Sequence, residues 1–159
     1  MITHRFAVDK MLGRLATWLR LIGQDTLYGS QLAGRSLIRH ARSEGRMILT
    51  RDHRIVRAAS DLCVLLVVSD DFREQLRQVV LLCRIDPFAS LFTRCTRCNT
   101  PVVAVPKAEV AGQVPPYVFS TQEHFARCGH CHRLYWSGTH SDRVREQLRI
   151  MGYQEPAGT

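Results

Sequence analysis

Along the first half of the chain, short apolar runs alternate with longer stretches in which apolar residues recur every three or four positions. His4 to Asp9 reads as a strand that ends in a carboxylate. Met11 to Ile22 then sets Leu12, Leu15, Ala16, Leu19 and Ile22 at helical spacing, and Gly23 supplies a left-handed stop. Asp25 to Tyr28 makes a short second strand, Ser36 to Glu44 a helix closed by Gly45, and Met47 to Thr50 a third strand followed at once by Arg51 and Asp52. A helical piece near Ile55 to Ala59 leads to Leu62–Val68, the most strand-like run in the chain. Phe72, Leu76, Val79, Val80 and Cys83 form the apolar face of a further helix. Strands this apolar, separated by helices, predict an α/β fold with a parallel sheet covered on both faces, a doubly wound sandwich.

The texture changes near Phe92. Val102 to Val105, Val114 and Val118-Phe119 are short β pieces broken by Pro101, Pro106, Pro115 and Pro116. A last helix is predicted from Asp142 to Met151, with Ser141 as its cap. The division is an α/β domain over 1–91 and a small β module with a C-terminal helix over 92–159. Such a module needs something besides a large core to organise it.

Two C-x-x-C pairs supply that. Cys95-Thr-Arg-Cys98 and Cys128-Gly-His-Cys131 can each aim two thiolates at one ion, and together they complete a closed tetrahedral four-cysteine site of the structural zinc type. Disulfides, a redox C-x-x-C and an iron–sulfur centre use the same residues, but paired spacing beside short strands favours Zn2+. Asn99 is expected to take a left-handed turn after the first pair, and Gly129 to relieve crowding within the second. His130, His132 and His140 are read as surface or neighbouring residues, and Cys63 and Cys83 as buried core thiols.

Strand-end acids supply a second constellation. Asp9 ends the first strand, Asp52 follows the third, and Asp70 or Asp71 follows the fourth, so all fall on the edge of a parallel sheet where ligands gather. Any one of them alone is explained as a helix cap. Three together suit Mg2+ or Mn2+ and metal-assisted phosphodiester hydrolysis.

Charge narrows the partner. Apolar residues at 45% and charged residues at 23% fit a globular chain, but Lys+Arg exceed Asp+Glu by 22 to 14, and 20 of the 22 are Arg. Arg pairs with phosphate through a planar fork, which points to a polyanion, although base composition of the genome produces the same bias. The excess lies mainly in residues 1–94, with 15 basic against 9 acidic. Arg35, Arg39, Arg42 and Arg46 form one helical stripe, and Arg51 stands beside Asp52, so these five are the candidate nucleic-acid backbone contacts. A solvated helix face is the ordinary fate of such a stripe. The longest apolar run is too short to span a bilayer and the N-terminus carries no apolar signal, so a cytoplasmic protein without membrane contact is expected.

Taken in chain order, these motifs closely resemble the Mut-seven C-terminal RNase domain family. The resemblance is carried by Phe6-Ala-Val-Asp9, Met11-Leu-Gly-Arg-Leu-Ala16, Trp18 to Gly23, Asp25-Thr-Leu-Tyr28, Ile48-Leu-Thr-Arg-Asp52, the two cysteine pairs and Tyr135-Trp136-x-Gly138-x-His140. It implies a PIN-like fold with an appended zinc ribbon, a metal-dependent ribonuclease activity, and Asp9 and Asp52 as metal ligands with Asp70 or Asp71 as a further one. It also implies an acid at the start of the helix after Tyr28, where this chain has Arg35. The leading expectation is a ribonuclease. The alternatives are an RNA-binding or ribosome-associated module with a degenerate site, and a zinc-ribbon adaptor for a protein partner.

Overall fold

The computed structural model describes residues 4–156. The chain divides into two compact units, Met1–Phe92 and Thr93–Thr159.

In the first unit the strands are β1 (Arg5–Val8), β2 (Asp25–Leu27), β3 (Met47–Thr50) and β4 (Val64–Leu66). They form one parallel sheet in the order β2-β1-β3-β4. Helices α1 (Gly13–Leu21), α2 (Gly34–Glu44), α3 (His53–Ala58) and α4 (Phe72–Leu82) connect and cover it. Side chains alternate across each strand, so Ala7 and Ile48 face one way and pack with Leu37, Ile38 and Ala41 of α2 and Ile55 of α3. Phe6, Val8 and Leu49 are fully buried on the other face. The α/β expectation therefore holds: apolar strands, covered on both sides, read as near-continuous hydrophobic runs.

Local chemistry sets where the elements begin and end. The predicted helix from Met11 opens as a single 3-10 turn, Lys10–Leu12, before α1. Gly13 stands at the junction because a Cβ there would lie 2.5 Å from the phenol oxygen of Tyr28, which donates to the Lys10 carbonyl at 2.9 Å. Gly45 closes α2 with φ of 62°, the left-handed stop read from sequence. Asp71 caps α4 by accepting from the amides of Arg73 and Glu74, a contribution of about 1 kcal/mol. Against α1, Trp18 stacks on Phe72 at 5.7 Å, and the Arg14 guanidinium covers the same ring at 3.9 Å.

The Leu62–Val68 run is shorter as a strand than its composition predicts. Only Val64–Leu66 form β4, a half-buried edge strand. The Gln78 side chain donates to the Leu66 carbonyl at 2.7 Å and accepts from the Val68 amide at 3.2 Å, taking the place of a fifth strand. Cys63 is exposed, not a core thiol, because it precedes this open edge; Cys83 is buried and bonds to Met47 sulfur at 3.8 Å.

The second unit is an antiparallel sheet, β5 (Val102–Val105), β6 (Phe125–Cys128) and β7 (Leu134–Trp136), in the order β5-β6-β7. A short helix α5 (Pro116–Thr121) replaces the β piece expected at Val118-Phe119. Pro116 sits in its first turn, where the missing amide costs nothing. Helix α6 (Thr139–Ile150) starts before Asp142: the Ser141 hydroxyl donates to the Gly138 carbonyl and accepts from its amide, so Ser141 lies inside the first turn and Gly138 is the cap. Val110, Val114 and Phe125 make a small apolar cluster.

At the end of the first sheet where the strands begin, Arg46 is interior, 8% exposed. Its guanidinium donates to Asp25 and Glu44 carboxylates at 2.7 Å each and to the Phe6 carbonyl at 3.3 Å. Burial lowers its pKa, and the two carboxylates more than recover it, so the net direction is up. Truncation would strip a 2.7 Å ion pair from Asp25, which stays paired with Arg5, and remove the donor to the Phe6 carbonyl. Arg46→Ala is expected to destabilise the first unit by about 2 kcal/mol through the loss of its charge-assisted hydrogen bonds, read from urea unfolding, whereas Arg42→Ala at an exposed ion pair with Asp61 should leave the midpoint nearly unchanged.

Candidate functional site

The sheet's strand order reverses direction between β1 and β3, which places the topological switch point at their carboxyl ends. The register pairs Val8 with Leu49, so the next residues, Asp9 and Thr50, stand side by side. The Asp9 amide donates to the Leu49 carbonyl at 3.0 Å, and the Thr50 hydroxyl donates to Asp9 Oδ2 at 2.8 Å. The same hydroxyl accepts from the Asp52 amide at 3.0 Å. Thr50 thus ties the two acids into one short chain of hydrogen bonds. Asp9 is 2% exposed, whereas the Asp52 side chain keeps 19% of its surface.

Asp52 is committed twice. It caps α3 by accepting from the Arg54 amide at 2.8 Å, and it pairs with the Arg54 guanidinium at 2.8 to 3.1 Å. The side-chain bond from Arg54, then the amide bond, hold its carboxyl below the usual carboxylate range. The remaining acids diverge. Asp70 is 88% exposed and paired with Arg51, while Asp71 is occupied as the α4 cap. Among the described residues, the four acids do not form a set of three or more donors within ligand distance of one another.

The arginines also separate. Arg42 is paired with Asp61 and Arg46 is buried, because α2 ends at Glu44 and Arg46 lies beyond the glycine cap, off the helical stripe. This removes Arg46 from the surface candidates. Arg35 and Arg39 are exposed on α2 and make no ion pair among the described residues. The Lys10 amide bonds to the Leu32 carbonyl at 3.2 Å, which ties the entry to α2 to the end of β1 and so brings Arg35 to the same edge as Asp9. Asp25 and Glu44 sit at the opposite edge, holding Arg46. Thr50 is the site residue that the strand-end reading missed, although it stood in the Leu-Thr-Arg-Asp motif.

The second cluster is the cysteines. Cys95, Cys98, Cys128 and Cys131 bring their Sγ atoms within 4.8 Å of one another, the one such group of potential ligands among the described residues. Neighbouring sulfurs lie 3.3 to 3.6 Å apart. A tetrahedral Zn2+ with bonds of about 2.3 Å sets sulfurs about 3.8 Å apart, so the cluster closes around such an ion with little movement. Both loops turn alike. Asn99 and His132 each follow the second cysteine of a pair with positive φ (68° and 59°), and their amides donate back to the Cys95 and Cys128 carbonyls. Gly129 does not relieve crowding, since a Cβ there meets nothing within 4 Å; the conformational demand falls on His132 instead.

The chain matches the family described as Mut7-C RNAse domain over residues 4–153. It belongs to that family. No curated protein and no solved structure matches it. For a Mut7-C domain the match takes in both the Asp9–Thr50–Asp52 edge and the four cysteines, which can hold a metal ion such as zinc. No helix among the described residues is long and apolar enough to cross a membrane.

The depressed Asp52 carboxyl makes stability depend on pH: its stabilising effect is present above the ordinary value of 3.8 and is lost as pH falls through the folded value. Arg54→Ala should therefore move the Asp52 titration upward, as followed by carbon-13 NMR of the carboxyl. The cysteine cluster should carry about one zinc per chain by elemental analysis. Cys98→Ser should lose that zinc and loosen amide protection in the second unit, leaving the first unit's exchange unchanged.

Proposed function

We propose that this Mut7-C domain is a ribonuclease that hydrolyses RNA phosphodiesters at the Asp9–Thr50–Asp52 edge. The observation that carries it is the Thr50 hydroxyl at the switch point, which donates to the Asp9 carboxylate and accepts from the Asp52 backbone amide, in a chain of an RNase-domain family. Two carboxylates are a donor set suited to Mg2+ or Mn2+, which keep several waters and share their shell with substrate phosphate. Asp9 and Asp52 would hold such an ion, and it would supply a hydroxide nucleophile and offset charge on the phosphate.

The protein's own groups account for the rest. Thr50 orients Asp9 by donating to Oδ2, leaving the other carboxylate oxygen for the site. Arg54 neutralises Asp52 in the free protein, and its exposed guanidinium can transfer to an incoming phosphate, which frees the carboxylate as substrate binds. Arg35, Arg39 and Arg51 would hold the backbone without reading sequence. Hydrolysis joins the oxygen of water to phosphorus, breaks one phosphorus–oxygen ester bond, and passes the water proton by way of a carboxylate to the departing oxygen.

A second reading is a non-catalytic RNA-binding or ribosome-associated module. It is favoured by Arg54 already occupying Asp52 and by the basic Arg35 at the site's edge. A zinc-ribbon adaptor for a protein partner is the third reading.

The test is cleavage of a mixed single-stranded RNA with Mn2+ or Mg2+. Cleavage that Asp9→Asn and Asp52→Asn each reduce at least a hundredfold is the expected result. RNA binding with no cleavage under either ion selects the second reading, and no RNA binding even at low salt selects the third. The Arg35→Ala, Arg39→Ala double variant should weaken binding and lower the slope of log K against log salt by about 0.7 per arginine.

A further inference from the structure

The Tyr135-Trp136-x-Gly138-x-His140 motif lies in the second unit, on β7 and the start of α6. Strand β7 splits it between two faces. Leu134 joins the apolar cluster of Val110, Val114 and Phe125, and Trp136 lies 6.5 Å from the Phe125 ring. Tyr135, between them, points the other way. It is paired with Ala126, two residues from Cys128 on β6, and so lies on the face that carries the cysteines.

There the phenol meets the metal-binding cluster directly. Tyr135 Oη donates to Cys95 Sγ at 3.0 Å and accepts from the Thr96 amide at 3.2 Å. Its proton is therefore directed at sulfur, because its lone pair is taken by the backbone amide of the residue next to that sulfur. Cys95 is fully buried, whereas Cys98 and Cys131 are partly open. A buried thiolate has no water to share its charge, so a fixed hydroxyl donor is the group best placed to do so.

We infer that Tyr135 is a positioning residue of the four-cysteine site, its fixed hydroxyl holding Cys95 Sγ in the geometry that a soft divalent ion such as Zn2+ requires. This rests on reading the four cysteines as a metal site. Partners that orient ligands in this way typically change metal affinity by about 10- to 100-fold. The two loops then differ in function. The Cys95 thiolate is anchored from outside the cluster, and the Cys128 loop closes on it.

The experiment compares full-length protein with Tyr135→Phe, which keeps the ring and removes the donor, and with Tyr117→Phe as an exposed control. Zinc affinity is measured by competition with a chromophoric chelator, and the thiolate-to-metal charge-transfer band is recorded after Co2+ substitution. The expected result is a loss of zinc affinity of about 10- to 100-fold in Tyr135→Phe, together with a red shift of the Co2+ band, because a sulfur without its hydrogen bond gives up electron density more easily. Tyr117→Phe should match the parent protein in both. Unchanged affinity, or weaker binding with an unshifted band, overturns the proposal, the latter by reducing Tyr135 to a packing role. If Tyr135→Phe does not fold, a fluorinated tyrosine placed at 135 is a stronger donor of nearly the same shape, and an absent blue shift overturns the proposal equally. A parent protein that binds neither Zn2+ nor Co2+ overturns the metal-site reading itself, a failure distinct from equal binding by parent and variant.

Discussion

The pairing of β1 with β3 is the contact on which the first unit depends. Both strands are buried on two faces, so their register sets where α1 and α4 meet one side of the sheet and α2 and α3 the other. A shift of one residue would turn Ala7 and Ile48 away from α2 and direct Phe6 and Leu49 into the space that Leu37 and Ala41 fill. The same register brings Asp9 beside Thr50, and Thr50 reaches Asp52 through one more hydrogen bond. Core packing and candidate chemistry are thus consequences of one strand alignment.

Charge is sorted by that alignment into two ends of the sheet. Where the strands begin, Arg5, Asp25, Glu44 and Arg46 neutralise one another, and the buried guanidinium satisfies backbone as well as carboxylates. Where the strands end, Asp9 is buried against a neutral hydroxyl, Asp52 and Asp70 each take an arginine, and Arg35 is left exposed. Arg20 is interior too, donating to the Thr26 carbonyl at 3.0 Å. The surplus of arginine is therefore partly structural. Arg35 and Arg39, on the first half of α2, are exposed and make no ion pair among the described residues.

The second unit is organised on another principle. Its apolar cluster is small, and the four sulfurs drawn within 4.8 Å of each other join the loops that its three short strands leave open. The alternation of Leu134, Tyr135 and Trp136 sends two side chains to the apolar side and one to the sulfurs, so one strand serves core and cysteine cluster at once.

Periodicity and punctuation were enough to read the α/β order, the parallel sheet and its helices, since hydrophobic spacing and glycine stops are local properties of the chain. The cysteine cluster was legible for the same reason: each C-x-x-C loop makes its own turn, and two of them need only approach. Local pattern failed where a neighbour from elsewhere in the chain decided the outcome. Leu62–Val68 is cut to three strand residues because it lies at an edge that Gln78 covers; Val118-Phe119, by contrast, turns helical for a local reason, Pro116 opening the first turn. Arg46 looked like the last member of a surface stripe, yet Gly45 ends the helix before it and two distant carboxylates draw it inward. Asp9 and Asp52 were visible as strand ends, and Arg54 meets Asp52 locally across the α3 cap, but Thr50 upon Asp9 and Arg51 upon Asp70 appear only when strands far apart in sequence are set in register. By itself the sequence determined which segments form strands, helices and cysteine-bearing turns, because those preferences act within a few residues. Tertiary structure alone decided which charges are paired, buried or left open, because Coulomb and hydrogen-bond partners are chosen by distance in space.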